Sequence, residues 1–358
     1  MKEKIKELFS KTKADSVLIR NFSNYFDPAF YYFTGLYREK YENNFLVLQK
    51  NKKPLIISSS LEGAGIPKSK NYLVKTAKSG KELIKILKKE LKGKNIGLNF
   101  NLYPVNSLNA LKKEFKNKKF IDSSKELNSI RSVKTKQEIK KIKQACKITE
   151  KTFSEMKKLF RIGMTEMQLA NELEFTAKKF GAEELAFPLI VASGKNSAVP
   201  HHNTSNKKIR KNTLILIDFG VKYKGYCSDL TRMFFSGKTP KKINELYEKV
   251  FESKKLAENE LGQGKDYSKA FQKANNFIKK NLKQKLMHDI GHGLGIEVHD
   301  SPKKNFGKKT ILKENMVLTV EPGYYNKKIA GIRIEDDYLI TKNGFKRLSS
   351  APKKITEI

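Results

Sequence analysis

The chain has 358 residues, 38% of them hydrophobic, and a formal net charge of +37. That length holds two domains with a sizeable buried core. No apolar run approaches the roughly 20 residues of a membrane span, and the opening MKEKIKELFSKTKAD has no apolar core of signal-peptide type. A cytoplasmic protein without membrane contact is therefore expected. Of the 74 basic residues only 8 are Arg. Proteins that read phosphates and base edges lean on the Arg fork. An excess that is nearly all Lys, spread along the chain, reads as a solvated surface and not as a specific nucleic-acid footprint. Cys146 and Cys227 lie far apart without metal-site spacing, which fits a reducing compartment.

Residues 1–125 read as an α/β domain. An amphipathic helix carrying Ile5, Leu8 and Phe9 precedes strands expected at 16–20, 29–33, 45–48, 55–58, 95–99 and 119–122, with helices at 81–91 and 108–115. None of the five histidines falls here. Over 126–358 the spacing predicts helices at 134–160 and 166–180, the second closed by Gly181 as a C-cap. A strand at 185–191 leads into the loop ASGKNSAVPHHNTSNKK. Helices follow at 241–261 and 267–282, then strands at 317–321 and 331–341 with a Pro322-Gly323 turn between them.

The stretch LILIDFGVKYKGYCSDLTR over 214–232 organises this second domain. Its apolar start reads as a buried strand, interrupted by Asp218, and a second strand-like run carries Asp229. A turn between Lys222 and Gly225 would set Asp218 opposite Asp229, with Cβ atoms roughly 5 Å apart. Two carboxylates so close in an apolar setting need neutralising, most simply by a divalent cation. The plainer alternative is one core-facing and one surface Asp on an ordinary hairpin.

Three histidines crowd one glycine-rich stretch: His288 and His292 in HDIGHGLG, and His299 in EVHD. Neutral imidazole is the commonest metal ligand, so one of them suits the two aspartates. Glu321 ends an apolar strand before Pro322-Gly323. Arg333 and Glu335, two apart in GIRIEDDYLI, share a sheet face, and taken alone they read as a surface salt bridge. Two Asp, one His and two Glu form an oxygen-rich set that favours hard or borderline ions such as Mn²⁺.

Taken in order, RSVKTKQEIKKIKQA, GMTEMQLANELE, FPLIVASGKNSAVPHH, DFGVKYKGYCSDLTR, HDIGHGLGIEVHD, TVEPGYY and GIRIEDDYLIT span about 130–350. This combination resembles the metallopeptidases of the pita-bread fold, and among them the Xaa-Pro aminopeptidases and Xaa-Pro dipeptidases (prolidases). The first domain, through signals such as YYFTG, resembles the creatinase-type N-terminal domain of the same group. The fold class so implied is α/β, with a creatinase-like domain over 1–125 and an α+β pita-bread catalytic domain over 126–358.

The resemblance implies that Asp218, Asp229, His292, Glu321 and Glu335 hold two divalent ions, with Asp229 and Glu335 bridging. Mn²⁺ is the first choice, and Co²⁺ or Zn²⁺ also suit. The implied activity is hydrolysis of the Xaa-Pro bond, at the N-terminus of peptides or in dipeptides, by a hydroxide held between the ions. Glu321 would shuttle the proton, and His201 and His299 would donate hydrogen bonds to the oxyanion and substrate. His202 reads as incidental. His288 matches a histidine four residues before the ligand, and Arg333 would hold Glu335 in place. Asp300 stands where the family usually has Glu, which bears on the surroundings of the ligands and not on the ligands themselves. A homodimer acting on proline-containing peptides is expected. Methionine aminopeptidase-type activity fits the first domain poorly. A non-catalytic pita-bread binding protein, or a metal-independent hydrolase of creatinase type, fits the full ligand set poorly.

Overall fold

In the computed structural model, which describes residues 1–23, 26–36, 41–302 and 308–358, the chain falls into two units, Met1–Arg131 and Ser132–Ile358. The first opens with helix α1 (Lys2–Lys11), which buries Ile5 and Leu8, and strand β1 (Ser16–Arg20). The strand expected over 29–33 is instead helix α2 (Pro28–Thr34). The aromatic run suits a strand, but the ends decide. Asp27 accepts from the Ala29 N–H, Pro28 sits in the first turn, and Gly35 stops the helix at φ +72°. Every residue of α2 is buried, so it shows no polar face from which a helical period could be read.

The unit continues with β2 (Phe45–Gln49), β3 (Leu55–Ser59), α3 (Ser60–Gly63), β4 (Leu73–Ala77), α4 (Gly80–Glu90), β5 (Asn95–Leu98), α5 (Val105–Glu114), β6 (Lys119–Asp122) and α6 (Ser124–Ser132). The sheet order is β4-β3-β2-β1-β5-β6. β2 runs antiparallel to both neighbours, and the other pairs are parallel. Edge strand β4 escapes a sequence reading because only Ala77 of its residues is buried. The junction expected between 125 and 126 lies inside α6.

The second unit begins with α7 (Lys136–Ser154), α8 (Met156–Leu159) and α9 (Glu166–Lys179). Complete capping boxes start α7, with Thr135 and Glu138, and α9, with Thr165 and Gln168. The strand expected at 185–191 is divided into β7 (Glu184–Leu185) and β8 (Ile190–Ser193). Pro188 lies between them and has no N–H for a ladder. Then come β9 (Leu214–Phe219), β10 (Val221–Tyr223), β11 (Tyr226–Cys227), β12 (Leu230–Phe235), α10 (Lys241–Glu258) and α11 (Ser268–Leu282). The chain closes with β13 (Val317–Val320), β14 (Gly323–Tyr325), β15 (Gly331–Arg333), β16 (Asp336–Thr341), β17 (Gly344–Arg347) and β18 (Thr356–Glu357).

β9 lies inside the sheet β18-β12-β9-β8. Leu214 and Leu216 pack with residues of α10 and α11, while Ile215, Ile217 and Phe219 pack with α7 and α9. A strand covered on both faces reads as an unbroken apolar run, which is why LILI shows no alternation.

The register differs from the sequence expectation. The turn is Lys224-Gly225, both with positive φ (+46° and +70°), as a two-residue hairpin of the primed type requires. Asp218 therefore pairs with Thr231 and not with Asp229. The slip is two residues, an even number, so Asp229 keeps the face of Asp218 and becomes its diagonal neighbour.

Candidate metal centre

Asp218 continues the β9 row of Leu214 and Leu216, and Asp229 precedes β12 on the same face. The Asp229 N–H donates to Asp337 Oδ2 at 3.0 Å. The strand expected over 331–341 is broken at Ile334-Glu335, between β15 and β16. There the Glu335 N–H turns to Thr231 O at 3.3 Å, and Thr231 Oγ1 donates to Glu335 Oε2 at 2.8 Å. Glu321 follows β13, with its N–H on Ile290 O at 2.8 Å. His292 is held by its N–H to Thr319 Oγ1 at 3.2 Å and its carbonyl to Thr319 N–H at 2.8 Å. The chain passes so close here that a Cβ on Gly293 would lie 2.4 Å from the Ser301 carbonyl carbon, which explains the glycine. Buried Asp300 shapes the same loop by accepting from the Ser301 N–H at 2.7 Å and the Ile296 N–H at 3.3 Å.

Asp218, Asp229, His292, Glu321, Glu335, His201, His299, His288 and Arg333 all line one cavity of about 120 Å³, walled also by Phe187, Ile190 and Val298. Among the described residues, Asp229, His292 and Glu335 bring one donor atom each within 4.8 Å of one another. His292 Nε2 is 3.5 Å from both Asp229 Oδ2 and Glu321 Oε1. The His299 ring stands edge-on to His292, with centroids 4.3 Å apart. His288 Nδ1 is 3.8 Å from Glu321 Oε2, and its Nε2 meets the Tyr325 hydroxyl at 2.8 Å.

Asp218 is tied differently, through Arg333 Nη2 at 2.6 Å. Arg333 also donates to the Tyr325 hydroxyl at 2.8 Å, to Pro200 O at 3.1 Å and to Thr231 Oγ1 at 3.1 Å. It therefore holds Asp218 directly and Glu335 through Thr231, where the sequence reading had it hold Glu335. The sequence motifs single out neither Thr231 nor Tyr325. A strand-end threonine carries no signal, whereas the Tyr in TVEPGYY was available.

Four carboxylates share this pocket with one guanidinium, and the excess of negative charge is buried. Asp218 Oδ1, Asp229 Oδ1 and Glu335 Oε1 are buried without any hydrogen-bond partner. Burial first, then the charges of neighbouring carboxylates, pushes Asp229 and Glu335 well above the ordinary carboxylate range, with Arg333 opposing. Asp337, behind Asp229, is pushed up to about 8, chiefly by burial. Orphaned oxygens, a nearby imidazole and uncompensated negative charge are what a divalent cation satisfies, so these residues fit a metal.

Asp336, next in sequence to Glu335, is buried with the opposite outcome. It accepts from Arg232 Nη2 at 2.5 Å and Lys254 Nζ at 2.7 Å, and also from Ser349 Oγ. Burial alone would raise it, but Arg232, Lys254 and Arg347 hold it well below the usual carboxylate range. Arg232 Nη1 also binds the Glu335 carbonyl at 2.5 Å, which fixes the backbone beside the pocket.

A buried pocket of carboxylates and imidazoles, built on strands and a glycine-rich loop of the second unit, is that of a metal-using hydrolase. Comparison with known proteins agrees. The description "Metallopeptidase family M24" matches residues 140–342, and "Creatinase/Prolidase N-terminal domain" matches 2–133. The chain belongs to this metallopeptidase family. It is 34% identical to the Xaa-Pro dipeptidase of Pyrococcus horikoshii over 99% of both chains. The X-Pro aminopeptidase structure from Thermotoga maritima superposes with a TM-score of 0.90 at 33% identity, covering 100% of this chain and 99% of that one. The prolidase structure from Pyrococcus horikoshii gives 0.88 at 34% identity, covering 98% and 99%. The resemblance to Xaa-Pro peptidases and the two-part fold are thus borne out. The protein is a hydrolase of the peptidase class, of a family that uses divalent metal. Among the described residues no helix is long and apolar enough to cross a membrane.

Proposed function

We propose that the chain hydrolyses the Xaa-Pro bond, Xaa-Pro dipeptides foremost, with Asp218, Asp229, His292, Glu321 and Glu335 holding two divalent ions. The observation that carries this reading is the trio of orphaned buried oxygens on Asp218, Asp229 and Glu335 beside His292. The similarity to a Xaa-Pro dipeptidase along nearly the whole chain supplies the substrate class. Bound ions, Mn²⁺ first among them for so oxygen-rich a set, would acidify a water and polarise the scissile carbonyl.

The chain's own residues do the rest. Arg333 takes one oxygen of Asp218 and leaves the other for a metal, while Thr231 does the same for Glu335. Glu321 accepts the proton of the attacking water and returns it to the proline nitrogen. His201 and His299 donate to the oxygen on which negative charge develops. Phe187, Ile190 and Val298 form the apolar wall for the pyrrolidine ring, which lacks an N–H to donate.

The test is hydrolysis of Xaa-Pro, Xaa-Pro-Yaa and Met-Ala peptides by chelated and by Mn²⁺- or Co²⁺-loaded protein. Turnover of Xaa-Pro only when metal is present is the expected result. Full activity after verified metal removal, or a preference for Met-Ala, would sink the proposal. The likeness to the Thermotoga maritima aminopeptidase favours a second reading, in which Xaa-Pro-Yaa is cleaved faster than the dipeptide.

A further inference from the structure

His202 reads as incidental in the sequence, yet its ring ties the residue beside His201 to Glu166, a buried carboxylate outside the pocket. Glu166, the first residue of α9, is fully buried and does not line the cavity. Its Oε1 accepts from the Ser193 N–H (2.7 Å), Ser193 Oγ (2.8 Å) and Asn196 Nδ2 (2.9 Å). Its Oε2 accepts from Ser205 Oγ (2.7 Å), the Ser205 N–H (3.3 Å) and His202 Nε2 (2.9 Å). One carboxylate therefore gathers both the entry and the exit of the loop that carries His201. A helix N-terminus adds positive potential that suits this charge, and an ionised carboxylate is acceptor-only, so His202 Nε2 carries the proton.

The loop is held from the pocket side as well. Arg333 Nη1 donates to the carbonyl of Pro200, the residue before His201, at 3.1 Å. His201 thus sits between two neighbours that are both anchored, Pro200 to Arg333 and His202 to Glu166. Thr204 pins the far end to β8, accepting from the Val191 N–H at 2.9 Å and donating to Leu189 O at 2.8 Å. A loop segment tied at each flank has little freedom to change the direction of the side chain between them.

We infer that Glu166, acting through His202, is the positioning residue for His201 and holds it in the one orientation that meets the substrate. The inference rests on reading His201 as a substrate-side group, so its first readout does not use turnover. In metal-free protein with isotope-labelled histidine, the His201 ring gives one set of NMR signals. In Glu166→Gln and His202→Phe those signals shift and broaden, while the His288 signals stay in place. Unchanged His201 signals in both variants would overturn the inference, whatever the enzyme's substrate proves to be.

The second readout is kinetic, on a metal-loaded enzyme with a Xaa-Pro dipeptide. Either variant lowers kcat by about 10- to 100-fold with KM nearly unchanged, as misplacement of a reacting group does. His202→Gln, which keeps a donor toward Glu166, restores most of kcat. In a His201→Ala background both changes lose their effect, because they act through the missing ring. Effects that simply multiply with His201→Ala would assign Glu166 a purely structural role and overturn the proposal. If Glu166→Gln does not fold, the His202→Phe and His202→Gln pair decides the matter. A wild-type enzyme inert toward Xaa-Pro peptides refutes the proposed function, and the NMR arm then decides this inference on its own.

Discussion

Among the described residues the first unit buries two Asp, Glu, Lys, Arg or His side chains, Asp27 and Arg131, whereas the second buries fifteen. Burying a charge costs several kcal/mol unless partners compensate. The first unit follows that rule with little exception: Asp27 caps α2 and accepts from Asn99 Nδ2 at 3.0 Å. The second unit departs from it in two ways. Asp336 and Glu166 are buried but surrounded by donors. Asp229 and Glu335 are buried beside like charges and keep an oxygen without a partner. Buried charge alone does not mark the reactive site. Within the cavity, buried charge that the chain itself leaves uncompensated is the mark of the proposed metal site.

The sharpest break of that contrast is Asp229→Asn. It removes a repelling charge and a proposed ligand together, so turnover of metal-loaded enzyme should fall by roughly 10³-fold or more. The chelated protein should melt no lower than wild type, since the lost charge was unfavourable in the fold. Peptide assays and thermal melts check both halves. A variant that keeps half its activity would remove Asp229 from the site.

Asp336→Ala tests the compensated class. Arg232 and Lys254 would be left buried without their shared acceptor, at an expected loss of about 3–5 kcal/mol in denaturant melts. A loss below about 1 kcal/mol would mean that the network rearranges and that its charges are not truly buried.

The effect of pH at Glu166 is smaller. Burial alone would raise this carboxyl, but hydrogen bonds from Ser205, Ser193 and His202 hold it below its usual 4.5. Between the lowered folded value and the unfolded one, the unfolded chain binds more protons. The stability contributed by Glu166 is therefore complete above about pH 4.5 and is lost as pH falls through the folded value. The melting gap between wild type and Glu166→Gln should narrow as pH falls below that point. A gap that stays constant on acidification would mean that the carboxyl is not ionised in the fold.

The smallest effect belongs to the surface of the first unit. Lys88 and Glu114 pair at 3.0 Å, and both are about half exposed. Lys88→Ala should change stability by no more than about 0.5 kcal/mol, because water and salt screen such pairs. A larger loss would show that this unit, too, depends on its charges.

Much of this was legible in the residues. The run LILI reads as a strand because it is covered on both faces, and the Thr-x-x-Glu and Thr-x-x-Gln starts of α7 and α9 announce their helices. The residues expected to form the site do meet in one cavity. Local signals competed at α2, where the aromatic run outweighed Asp27-Pro28 and Gly35 in a reading by period.

Which side chains can bind a cation, which stretches must be buried, and where turns and caps fall can all be read along the chain. Their partners arise from packing between distant segments. The Lys224-Gly225 turn set Asp218 against Thr231 by backbone torsion, a degree of freedom that neighbouring side chains do not report. The break at Ile334-Glu335 depends on Thr231 offering its carbonyl, and the value of His202 depends on Glu166, 36 residues earlier in the chain. Such pairings are long-range: their energy exists only once both segments have been brought together, so no local stretch of sequence records it.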